Sequence, residues 1–182
     1  MKVFFRLSCA ILVIFLLVSC AGTTAHPLDY QSLPFEAIIT GSLNSIEFCA
    51  TIKKTFDDVY GVFELTLHSP ETLNGMVIRT NKDGGVTVTY DSTVLEFESL
   101  DSLPAINQLL GAFSISEGPL RIDAVDGKAA GLPSYERVTR LEFSDLTVYT
   151  DSKSGVPIKI EASGASSQDL FELSLSIHSF TS

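Results

Sequence analysis

Cys20 carries a thiol at the point where a signal-like segment ends. Lys2 and Arg6 give the start of the chain a positive charge, residues 7–18 form an apolar run, and small residues follow. Basic, apolar and small residues in this order are typical of a secretory signal that is cleaved. The apolar run is shorter than the roughly 20 residues that a membrane-spanning helix needs. The sequence therefore predicts an exported chain. The alternatives are a transmembrane anchor and an ordinary signal in which Cys20 is incidental.

The residues before Cys20 indicate a modification of its sulfur. Leu17, Val18, Ser19 and Cys20 resemble the lipobox of bacterial lipoproteins, which ends in an invariant cysteine. The resemblance implies cleavage before Cys20 and a thioether to a diacylglycerol that carries fatty acids such as palmitate. Two acyl chains hold a protein on a membrane, whereas one chain binds only reversibly. The resemblance thus implies a lipid anchor in the cell envelope, on the outer face of the cell membrane or on an outer membrane.

This interpretation divides the chain into three parts. Residues 1–19 are the signal peptide, residues 20–34 are the lipidated cysteine with a flexible tether, and residues 35–182 are a single β-rich domain. The signal contains two basic residues and no acidic one, so its removal changes the formal charge from −10 to −12. Such an acidic body argues against nucleic-acid binding, which needs clustered basic residues. Cys49 is then the only cysteine of the domain, which predicts a core without a disulfide.

Alternation of apolar and polar residues dominates the domain and predicts strands with one buried and one solvated face. The clearest runs cover residues 46–53, 63–68, 86–90, 156–161 and 171–178. Loops at 81–85 and 151–155 contain glycine where a hairpin favours positive φ, and Asp91 and Ser92 predict a third hairpin. Between Phe143 and Leu146 the apolar phase slips by one residue, which predicts a bulge near Ser144 and Asp145.

One segment has a helical period instead. Leu103, Ile106, Leu109, Leu110 and Phe113 recur every three or four residues and form one apolar stripe. Ser102 precedes them as the expected N-cap, Pro104 suits the first turn, and the predicted helix has about three turns. The predicted fold is therefore mainly β with one central helix. Roughly ten short strands form a curled antiparallel sheet, or half-open β-barrel, packed on that helix.

Two further segments resemble a known family. Residues 69–75 are similar to a Pro-x-x-Leu-x-Gly lead into a hairpin, and residues 149–160 to an Asp…Gly-x-Pro hairpin. Both hairpins are found in carrier lipoproteins of the LolA, LolB and LppX type. The position of the helix also agrees with that superfamily. The resemblance implies a half-open barrel that holds acyl chains inside.

Residues that could carry out catalysis are scattered. His26, His68 and His178 are not spaced with other ligands for a metal, and there is no Gly-x-Ser-x-Gly nucleophile turn or phosphate-binding loop. The sequence therefore predicts a protein that is not an enzyme and that has no cofactor or metal.

Two functions remain, and both assume a membrane as the partner of Cys20. The first is the binding or transport of a lipid or another apolar ligand in the curled sheet. Its candidate lining residues are six large apolar ones, namely Phe48, Phe63, Phe97, Leu109, Phe113 and Phe143. The second is a structural or interaction lipoprotein whose core is filled and which holds no ligand. In it, a protein partner binds the acidic surface or a sheet edge.

Overall fold

The computed structural model describes residues 26–58, 60–165 and 170–182. The predicted signal peptide and Cys20 lie outside the described residues. Eleven strands and one α-helix are seen: β1 (Phe35–Leu43), β2 (Ile46–Asp57), β3 (Tyr60–Ser69), β4 (Val77–Thr80), β5 (Val86–Tyr90), β6 (Thr93–Phe97), α1 (Pro104–Gly111), β7 (Arg121–Asp126), β8 (Arg137–Glu142), β9 (Leu146–Asp151), β10 (Pro157–Ala165) and β11 (Leu170–Thr181). Three short 3-10 helices cover Asp29–Ser32, Glu71–Leu73 and Leu100–Ser102.

All eleven strands belong to one antiparallel sheet. Their order is β6-β5-β4-β3-β2-β1-β11-β10-β9-β8-β7. The chain starts at the centre with β1 and meanders out to the edge strand β6. The connection that contains α1 then leads to the other edge strand, β7, and the chain returns to β11 beside β1. In the described part of the chain the sheet is not closed into a barrel. The predicted fold class, mainly β with one central helix, is confirmed.

The predicted hairpin turns are confirmed, but the predicted bulge is wrong. Gly84 and Gly155 adopt positive φ values of 83° and 70° in the two glycine-containing turns. Ser144 and Asp145 form a tight turn between β8 and β9, in which the Phe143 N–H donates to the Leu146 carbonyl at 2.8 Å. Reversal of the chain brings Phe143 and Leu146 opposite each other, so both point to one face. The same phase slip in a continuous strand would require a bulge.

The helix is shorter than predicted and starts differently. Pro104 begins α1, as expected, but α1 has 8 residues and its N-cap is Leu103, which makes no side-chain cap bond. The expected cap Ser102 ends the preceding 3-10 turn, where Ser99 Oγ accepts a hydrogen bond from the Asp101 N–H instead. The start of the helix is therefore fixed by the preceding turn and by proline rather than by a serine cap.

The core lies between the inner face of the sheet and the helical connection. Its fully buried side chains include Ile39, Ile52, Leu65 and Phe113. Part of the predicted tether also belongs to it, because Tyr30 in the first 3-10 helix is buried. Residues 29–32 therefore pack on the folded domain.

Candidate functional site

The six predicted lining residues all belong to the inner side of the sheet or to the helical connection. Four of them, Phe48, Phe63, Leu109 and Phe113, are buried members of the core. Phe97, at the end of β6, and Phe143, after β8, are half-buried and pack on the edge of that core. The structure does not bring the six residues together around a single cavity.

Aromatic side chains cluster at the end of the sheet where β1 begins and β11 ends. The ring of Phe113 lies 5.7 Å from that of Phe35, centroid to centroid, and Phe35 stacks on Phe180 at 4.9 Å. Tyr30 closes the group with an edge-on contact to Phe180 at 5.9 Å. Such offset and edge-on pairs are the arrangements that aromatic rings favour. These four rings pack together in or against the core.

A groove remains beside Phe143, between the helical connection and the β8–β9 turn. Its volume is about 330 Å³. Its wall combines small and apolar residues with six polar ones. The lining residues are Gln108, Gly111, Ala112, Ser114, Ile115, Ser116, Glu117, Phe143, Ser144, Asp145, Leu146 and Ala162. Ile115 and Leu146 were not among the predicted lining residues. Leu146 was visible in the sequence as the partner of Phe143 in the phase slip.

The apolar surface extends beyond the groove. The Leu120 N–H donates to the Glu142 carbonyl at 2.7 Å, which holds Leu120 next to the strand end that precedes Phe143. The Leu120 side chain is 77% exposed, and Ile122 in the edge strand β7 is also exposed.

Lys54 is a buried cation that the sequence interpretation missed. Its ammonium group donates to the Gln31 carbonyl at 2.5 Å and lies over the rings of Phe56 and Phe63, at 5.3 and 5.4 Å. Burial lowers the pKa of Lys54. The sequence did contain a signal for its burial, because Lys54 follows Ile52 in the alternating series of inward-facing residues of β2. This hydrogen bond links the first 3-10 helix to β2.

The outer face of the sheet is polar. A groove of about 420 Å³ there is lined largely by hydroxyl-bearing residues, among them Thr40, Ser42, Ser174 and Ser176, and by the half-buried Cys49. Next to it, His178 Nε2 and Thr40 Oγ1 are 2.6 Å apart. Within residues 26–58, 60–165 and 170–182, no three histidine, cysteine or acidic side chains converge as metal ligands would.

None of the helices in the described ranges combines the length and apolar character needed to cross a membrane.

Comparison with known proteins supports the fold. No family model matches the chain, and no curated protein matches it. An uncharacterized conserved protein from Thermus thermophilus has a similar structure, with a TM-score of 0.52 and 13% identity over 85% of this chain and 82% of that chain. The TM-score is 0.38 for a putative outer membrane lipoprotein-sorting protein domain from Vibrio parahaemolyticus, with 8% identity over 81% of this chain and 84% of the other. A LolA superfamily protein from Nitrosomonas europaea has a TM-score of 0.35 and 10% identity over 87% of this chain and 93% of that chain. The first likeness shows a shared fold, and the other two scores are too low to show one.

Proposed function

We propose that this protein is a lipid-anchored lipoprotein of the cell envelope that binds an apolar chain in the groove beside Phe143. In this proposal the signal 1–19 is removed, Cys20 carries the lipid, and residues 35–182 form the binding domain outside the cytoplasm. The lipobox-like residues support the anchor. The acidic charge of the mature chain supports a role that does not involve nucleic acid.

The groove is the observation that carries the binding function. Its volume of about 330 Å³ lies at the lower end of the range that small-molecule pockets occupy. A site of this size suits one apolar chain rather than a whole diacyl lipid. Of the six predicted lining residues, we therefore assign direct ligand contact to Phe143. The four buried ones belong to the core.

Displacement of a fluorescent fatty-acid probe tests this assignment with a matched pair of variants. Phe143 and Phe97 are both half-buried phenylalanines at the edge of the core, but Phe97 does not line this groove. We expect Phe143→Ser to lose most of the probe binding and Phe97→Ser to retain it, with both variants folded by circular dichroism. A wild-type protein that binds no probe, or equal losses in the two variants, would refute the groove as the site.

Membrane fractionation tests the anchor separately. The wild-type protein should sediment with membranes, and the Cys20→Ser variant, which lacks the acceptor sulfur, should move to the soluble fraction. A Cys20→Ser protein that stays with the membranes would show that another segment holds it there.

A second candidate function is that of an interaction lipoprotein with a filled core. The uncovered sheet edges favour it, because Val94 and Leu95 on β6 and Ile122 on β7 are exposed and edge strands offer unpaired backbone groups to a partner. Cross-linking on intact cells, followed by mass spectrometry, would identify such a partner at these strands. In neither function do we propose an enzyme, a prediction that rests on the sequence and that a broad hydrolase screen tests.

A further inference from the structure

Three exposed apolar side chains share the end of the sheet at which the N-terminal segment arrives. Leu33, Phe56 and Tyr60 are 46%, 41% and 57% exposed. Phe56 is paired with Gly61, and Tyr60 with Asp57, in the β2–β3 ladder. Phe35 is paired with Lys54, so the chain just before β1 lies beside the end of β2. We call the end that carries these three side chains the anchor rim.

The anchor rim is held close to the predicted lipid. Burial of Tyr30 and the hydrogen bond from Lys54 to Gln31 fix residues 29–32 on the domain. Only residues 21–25 separate His26 from Cys20. At about 3.5 Å per residue, this chain spans roughly 20 Å at most. The full predicted tether, 20–34, would have allowed more than twice that distance.

The chemistry of the anchor rim suits the interface of a bilayer with little net charge. Aromatic side chains are enriched at membrane interfaces, where an apolar ring can enter while polar groups stay hydrated. Asp57 and Asp58 are exposed at the β2–β3 turn, and Lys82 reaches Asp57 at 3.9 Å. Because anionic lipids repel acidic groups, these aspartates favour zwitterionic lipid and a shallow contact.

We propose that the anchor rim docks on the surface of the membrane that holds the lipid of Cys20, with Leu33, Phe56 and Tyr60 in its headgroup region. This inference rests on the lipid anchor of the proposed function. The groove beside Phe143 lies at the opposite end of the strands, since β8 ends and β9 begins there. In the docked protein the groove faces away from the membrane, and its ligand arrives from the distal side.

Tryptophan reporters test the orientation, because the chain contains no tryptophan. The lipidated protein is reconstituted in phosphatidylcholine vesicles that contain lipid with a nitroxide label near the headgroup. Tyr60→Trp and Phe56→Trp place a reporter at the anchor rim. Ile46→Trp is the matched control, because Ile46 is 63% exposed but begins β2 at the opposite end of the sheet. We expect labelled lipid to quench most of the emission of the two rim reporters and to leave that of the control unchanged.

Other outcomes overturn the proposal in distinguishable ways. Equal quenching of all three reporters, or quenching of the Ile46→Trp control alone, would show that the floating protein docks differently or not at all. A protein that fails to float with the vesicles would lack the lipid anchor, and the proposed function would fall together with this inference.

Discussion

Phe113 is the side chain that joins the helical connection to the centre of the sheet. It follows α1, has no exposed surface, and lies against Phe35, which in turn stacks on Phe180. The three residues come from the middle, the beginning and the end of the chain. A single side chain thus links parts of the fold that are far apart in sequence.

Truncation of this side chain should be costly. We expect Phe113→Ala to lower the free energy of unfolding by about 3–5 kcal/mol, since it removes a buried ring and leaves a cavity. Urea unfolding measures the loss. Ile46→Ala, at an exposed position, is the control and should change stability by less than about 0.5 kcal/mol. Similar small effects in both variants would show that Phe113 is not packed as described.

Tyr30 gives the fold a distinct response to alkaline pH. Burial raises its pKa to about 12, although the hydrogen bond from Gln31 acts in the opposite direction. The folded state therefore favours the protonated phenol. Its contribution to stability is complete below the unfolded pKa of about 10 and is lost as pH rises through the folded value.

We expect the wild-type protein to lose about 2 kcal/mol of stability relative to Tyr30→Phe between pH 10 and 12, from a shift of about two pKa units. The difference between the two proteins removes the contribution of lysines that titrate in the same range. Urea unfolding at several pH values provides the measurement. Burial also raises the pKa of Tyr149, so titration of tyrosine absorbance should show late ionisation that Tyr30→Phe reduces. If Tyr30→Phe leaves the late part of the titration unchanged, Tyr30 is not buried.

At the scale of the elements, β1 is the central strand of the sheet. It pairs with β2 on one side and with β11 on the other. At Gly41 the two central strands come so close that an added Cβ would collide with the Ser174 carbonyl oxygen. Glycine is therefore required there for space rather than for an unusual backbone angle.

Two glycine substitutions should have opposite effects. Gly41→Ala should destabilise the protein by about 1–3 kcal/mol, the usual cost of overpacking. Gly111 ends α1, and a Cβ added there meets nothing within 4 Å, so Gly111→Ala should stabilise by up to about 1 kcal/mol because alanine favours helix. Thermal unfolding of the two variants provides the comparison. A Gly41→Ala protein as stable as the wild type would contradict the close approach of β1 and β11.

Local elements could be predicted from the sequence, and long-range pairings could not. Turn chemistry identified the hairpins at 81–85 and 151–155 because their signals lie within a few residues. The Ser144–Asp145 turn was mistaken for a bulge, since both produce the same slip in the apolar phase. The pairing of β1 with β11 joins the two ends of the domain, and alternation alone does not specify a partner strand.

The same limit applies to the candidate site. The apolar periodicity of the sequence correctly predicted that Phe48, Phe63 and Phe113 face the core. The direction in which a side chain points depends on its spacing from nearby residues, which the sequence shows. Whether the interior is empty depends on side chains from distant strands, such as Phe35 and Phe180. The groove could not be located from the sequence because the helical connection and the β8–β9 turn come together only in the folded chain.

At the scale of the whole molecule, the domain is held together without a disulfide in its described part, where Cys49 is free. A formal charge of −10 over the full chain adds self-repulsion. The core between the sheet and the helical connection therefore provides most of the stability. In the proposed arrangement the anchor lies at one end of the sheet and the groove at the other, which would separate attachment from binding.

The lipid on Cys20 is the claim on which location, orientation and access to the groove all depend. Intact-mass spectrometry of the protein extracted from membranes tests it directly. We predict a mature chain that begins at Cys20 and carries a diacylglycerol on the cysteine sulfur. A mass that corresponds to a free thiol at Cys20, or to a chain that retains residues 1–19, would contradict the account.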